Sequence, residues 1–266
     1  MASKRQLKRF IFKLERKLVR EQKKLSSKLY AELQRQMKEI IANDGIFESR
    51  THDILMDAYL TIGVEFASKQ FDALTTGDYT KTDRFFLEYW KEWIENFVTI
   101  RVSEKVKNMD DWSVKRYTEI KQQVRNAITE SGTLSVPNEV IADAIEEKLG
   151  TGVFSRNRAM TIARTETSAI ANEAKSKSAE TWAGQNGQKQ YKMWVHRASK
   201  DPRENHEYLD GMILPVEEYF QVVAQDGEPE DMLYPHDPNN GSAKNKVNCN
   251  CQVVYMSEDY VNQLNN

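Results

Sequence analysis

Apolar residues return at three- and four-residue steps, or multiples of them, along the start of the chain: Leu7, Ile11, Leu14, Leu18, Leu25, Leu29, Met37 and Ile40. Lys and Arg fill the other faces, so the pattern predicts a long amphipathic helix or one strand of a coiled coil. A second helix is expected from near Thr51, through Ile54, Ala58, Ile62 and Phe66, to about Leu74. A third places Phe86, Trp90, Trp93, Phe97 and Ile100 on one stripe, which reads as a core seam or a docking face. A fourth spans roughly Trp112 to Glu130, and a short one follows Pro137, a residue suited to a helix start. An Ala-rich helix comes next, with Ser155 as its expected N-cap and Gly184 as its expected stop.

Beyond Gly184 the period changes. "QKQYKMWVHRA" reads as a strand, "DPRENHEYLDG" as a short helix, "PVEEYF" as a turn and "CQVVYM" as a closing strand. Between the last two lies a loop rich in Pro, Gly, Asn and Asp. The fold class expected is α+β: a long, mostly helical N-terminal region with a basic arm (1–150), then a small C-terminal α+β module (151–266).

Net charge over the 266 residues is only -2, but it is segregated. Residues 1–42 hold thirteen Lys or Arg against four Glu, whereas residues 185–266 hold seven basic and thirteen acidic residues. The arm is therefore the part suited to nucleic acid or an acidic protein surface, through Lys4, Arg5, Lys8, Arg9, Lys13, Arg16, Lys17 and Arg20. No apolar run approaches a membrane span, and no signal-peptide pattern opens the chain. The two cysteines are too few for a disulfide scaffold, which fits folding in a reducing cytoplasm.

Those cysteines, Cys249 and Cys251, stand in "NCNC". On a strand they would project to one side with a disulfide only at the strained end of the allowed geometry. With His206 and either His236 or Asp210 they could complete a structural zinc site; otherwise they are paired buried thiols. In "DPRENHEYLDG", Asp201 can cap the helix, Pro202 and Glu204 suit its first turn, and Gly211 suits its end. His206 and Asp210 then share a face, with Arg203 one turn earlier. Arg164 and Glu166 are candidates for a polar contact with the module, and Asn172, among Ala and Ile, for a satisfied interior amide. No arrangement of nucleophile and base is legible, so no catalytic residue is assigned and the expectation is a non-enzyme.

One ordered set of marks runs through the second half: "ARTETSAIAN", Trp194, "RENHEYLDG", Phe220, "YPHDP" and "NCNC". Together they resemble the bacteriophage Mu F-like minor head proteins, also called phage head morphogenesis proteins. The characteristic positions fall on Arg164, Thr165, Glu166, Asn172, Trp194, Arg203, His206, Leu209, Asp210, Gly211, Pro235, Asp237, Pro238, Cys249 and Cys251; Asn250 stands where relatives often carry Arg. The resemblance implies a minor capsid protein acting in head morphogenesis near the portal, inside the virion head and in the host cytoplasm during assembly. Its implied partners are the portal protein, the scaffold or the major capsid protein, with double-stranded DNA as a further partner of the arm. The alternatives are a DNA-associated metal-dependent enzyme of the particle and a plain nucleic-acid-binding protein.

Overall fold

The computed structural model describes residues 4–76, 87–130, 138–197, 204–223 and 227–264. Five helices come first: α1 (Lys4–Ala42), α2 (Thr51–Thr76), α3 (Leu87–Glu130), α4 (Asn138–Thr151) and α5 (Arg156–Asn186). An α+β region follows, with β1 (Gln190–Val195), α6 (Glu204–Glu207), β2 (Ile213–Pro215), β3 (Phe220–Val223), β4 (Pro229–Met232), α7 (Ala243–Lys246), β5 (Gln252–Ser257) and α8 (Glu258–Leu264). The chain forms two compact units, one of Met1–Gln22, Ala58–Asn96 and Arg164–Asn266, the other of Lys23–Asp57 and Phe97–Ala163.

In the first unit, α1 buries Leu7, Phe10, Leu14 and Leu18. Phe10 takes the place expected of Ile11, which is only half-buried. From α2 come Tyr59, Ile62, Phe66, Phe71 and Leu74, from α3 Trp90 and Ile94, and from α5 Ile170, Ala171 and Ala174. Gly63 lets α2 approach closely: a Cβ there would lie 2.5 Å from Ile94 Cδ1 and 3.2 Å from Ile170 Cγ1. Phe86 and the side chains of Phe97 and Ile100 lie outside the described residues; within the expected stripe, Trp90 is buried and Trp93 half-buried.

The second unit has its own apolar set: Leu25, Leu29, Leu33, Met37 and Ile40 of α1, Tyr117, Ile120 and Val124 of α3, and Ile145 and Leu149 of α4. Here one expectation is corrected. The two helices expected at the aromatic stripe and from Trp112 are one helix, α3, because no Gly or Pro occurs between Leu87 and Glu130 to break it. The two ends of α5 differ in how far they match expectation. Ser155 caps the start, its Oγ accepting from the Arg158 N–H at 3.2 Å, but the helix passes through Gly184 and stops at Gly187, whose φ is +62°.

The module's main sheet has the order β2-β1-β5, all antiparallel, and β3 pairs antiparallel with β4 in a second sheet. Trp194, Leu209, Phe220, Val222, Met232, Cys249 and Cys251 form one buried cluster, with the Trp194 and Phe220 rings edge-to-face at 5.2 Å. The cysteines lie just before β5 rather than on it, after the left-handed Asn248 (φ 62°).

Candidate metal centre

Helix α5 fixes this segment from one side. Asn172 is fully buried; its Nδ2 donates to the carbonyls of Pro235 and Cys251, both at 3.0 Å, and its Oδ1 accepts from the Val253 N–H at 3.0 Å. Thr165 Oγ1 accepts from the Asn248 N–H at 2.8 Å, and Arg164 donates to Asn248 Oδ1 at 3.3 Å. Glu166 goes elsewhere, accepting from the Tyr59 hydroxyl of α2. From α1, Gln22 Nε2 donates to Asn250 Oδ1 at 3.1 Å and Ser168 Oγ at 3.4 Å, so the residue between the cysteines is itself anchored.

The "YPHDP" turn holds the other side. Asp237 is buried, and its carboxylate accepts from the Leu233 and Asn239 N–H groups, each at 2.9 Å, and from Asn240 Nδ2 at 3.1 Å. Those bonds over-determine the turn and keep His236 left-handed at φ 67°, a conformation non-glycine residues adopt at a cost of about 1 kcal/mol. His236 Nε2 thereby donates to the Cys249 carbonyl at 3.0 Å.

His206, Cys249 and Cys251 converge. All three are buried, and their ligand atoms lie within 4.8 Å of one another. His206 Nδ1 is 3.5 Å from Cys249 Sγ and 3.6 Å from Cys251 Sγ. Both thiols are free. A hydrogen bond from Cys251 holds the Cys249 thiol well below its usual range, and the same bond with burial holds Cys251 above it. The Cys251 N–H also donates to Cys249 Sγ at 3.4 Å.

Among the sequence-predicted ligands, His206, Cys249 and Cys251 meet, while His236 serves the Cys249 backbone. Asp210 turns away from the metal role it was a candidate for: its Oδ1 accepts from the His196 backbone N–H at 2.8 Å. Arg203, with Asp201 and Pro202, lies outside the described residues. His196 was not singled out in the sequence, yet its Nδ1 stands 3.6 Å from Cys251 Sγ. Its signal lay in strand register: Val195 pairs with Gln252, so continuing the antiparallel register places the residue just after β1 opposite Cys251.

A model of the family described as "Phage Mu protein F like protein" matches residues 118–254, just over half of the chain. The chain belongs to the Mu F-like family. That family is one of phage head morphogenesis proteins. A similar curated protein is "Uncharacterized protein YqbB" of Bacillus subtilis (strain 168), 30% identical over 188 residues. The alignment takes in 69% of this chain and 59% of that relative's length. No solved structure matches. The Mu F-like match covers α4, α5 and every residue of the cluster described above.

Proposed function

We propose that this Mu F-like protein is a minor component of the phage head that acts near the portal during assembly and contacts packaged DNA through α1. The role is structural rather than catalytic, which fits a cysteine–histidine cluster closed to solvent. The observation that supports the DNA contact is the division of α1 into two faces. Leu7, Phe10, Leu14 and Leu18 are buried, while Lys4, Arg5, Lys8, Arg9, Lys13, Arg16 and Arg20 are exposed. Lys4, Arg5, Lys8 and Arg9 line a shallow groove with Phe12, which is 57% exposed and stacked by Arg16 at 5.7 Å. Lys17 belongs to a different arrangement, being ion-paired to Glu65 at 2.5 Å and Glu21 at 3.7 Å. Among the described residues no helix is long and apolar enough to cross a membrane.

The test is duplex-DNA binding by the full chain across a salt series, beside co-purification with the portal protein. Phosphate contacts make affinity fall steeply with salt, and the variant with Arg5, Lys8 and Arg9 each changed to Glu should lose about one unit of log–log slope per contact removed. Binding that ignores salt, or a variant indistinguishable from the parent, rules out the DNA role and favours an acidic protein surface as the partner of this face. Failure to co-purify with the portal rules out the placement beside it.

A further inference from the structure

The orientation of one amide determines what the buried cluster can hold. Asn245 Nδ2 donates to Glu230 Oε2 at 2.8 Å, which turns its Oδ1 toward Asn205 and His206. That oxygen only accepts, so His206 Nε2, 3.1 Å away, carries the ring proton and donates it. His206 Nδ1 therefore presents a lone pair, and two sulfurs lie 3.5 and 3.6 Å from it. One in-plane lone pair accepts one S–H, so His206 can take the proton of only one of the two thiols.

A fourth donor stands beside this set but outside the three whose ligand atoms all lie within 4.8 Å of one another, so closing the shell takes a shift of its ring. His196 Nδ1 is 3.6 Å from Cys251 Sγ, and Asp210 fixes the end of β1 that carries it. A tetrahedral zinc ion with bonds of about 2.3 Å to sulfur and about 2.05 Å to nitrogen has N···S edges of about 3.6 Å. The three N···S separations of 3.5, 3.6 and 3.6 Å agree with that edge.

We propose that His196 Nδ1, His206 Nδ1, Cys249 Sγ and Cys251 Sγ bind one structural Zn²⁺, with Glu230 and Asn245 setting the His206 tautomer from outside the shell. Binding deprotonates both thiols and releases the two protons to solvent, so the closed centre is neutral and tolerates burial. With four protein ligands no position is left for water or substrate, and the ion ties β1, α6 and the segment before β5 into one piece. The site goes beyond the head-assembly role and needs neither DNA nor a partner.

The test uses the full chain. Expected results are about one zinc per chain after purification in zinc-containing medium without chelator and, on replacement with Co²⁺, the intense visible bands and thiolate-to-cobalt absorption of a tetrahedral ion. His196→Ala should lose metal affinity by at least about tenfold, and Asn245→Leu by roughly 10- to 100-fold with the tetrahedral spectrum retained. His236→Ala should keep both stoichiometry and spectrum. Zinc near zero with a six-coordinate cobalt spectrum overturns the site, as does a Cys249–Cys251 disulfide in the purified protein. Zinc lost in His236→Ala but kept in His196→Ala overturns the ligand set. Cys249→Ser should lose the zinc; should it fail to fold, wild-type stoichiometry and cobalt spectrum decide.

Discussion

Asn172 shows how much one buried amide can carry: it satisfies two carbonyls and one N–H from segments 63 to 81 residues further along. Asn172→Ala strands those three backbone groups in the core, and each unpaired group costs about 1–3 kcal/mol. A loss of about 3 kcal/mol in urea unfolding is expected, while the exposed Asn186→Ala should stay within about 0.5 kcal/mol. The interior amide was legible from its Ala and Ile neighbours; its partners were not, because nothing local specifies a contact so distant. Lys175 offers a second test. It is fully buried, and burial pulls its ammonium down from 10.5 to about 7. Between those values the unfolded chain holds the proton and the folded chain does not, so stability rises with pH across the window and falls back as pH drops toward 7. Lys175→Met should flatten that rise by on the order of 4 kcal/mol relative to wild type, read as urea midpoints at pH 7 and pH 10.

The ends of α5 make a compact comparison of local rules. Gly184 lies inside the helix, and a methyl group added at its Cα would meet nothing within 4 Å, so Gly184→Ala should stabilise by about 1 kcal/mol through helix propensity alone. Gly187 has the left-handed φ of +62°, where a Cβ is strained, so Gly187→Ala should cost about 1 kcal/mol. Thermal melts of the two variants should therefore move in opposite directions. A stop at Gly184 is the natural sequence expectation, because both glycines follow the last periodic residue and φ is not written in the sequence. Long helices were legible from periodicity; β2, β3 and β4 were not, being three or four residues each, too short for alternation to separate them from turns. The cysteine pair was legible as chemistry. Its setting before β5, and the arrival of His196 beside it, required the β1–β5 register.

At the scale of the whole molecule, the two compact units do not coincide with contiguous stretches of chain: α1, α2, α3 and α5 each contribute to both. Each unit nevertheless has its own buried apolar set, and hydrogen exchange can show whether the units also open separately. Asn172→Ala is a suitable perturbation, since Asn172 and every group it bonds belong to the first unit. If cooperativity follows packing, the variant should lose amide protection in β1, β5 and the α5 residues beyond Arg164. Protection in the Lys23–Ala42 part of α1 and in α4 should hold, because their apolar partners lie within Lys23–Asp57 and Phe97–Ala163. If instead the continuous hydrogen-bond ladders of the shared helices dominate, protection falls by the same factor in both units. The ratio of the two losses measures how strongly four shared helices couple two cores, and equal losses would reject independent opening.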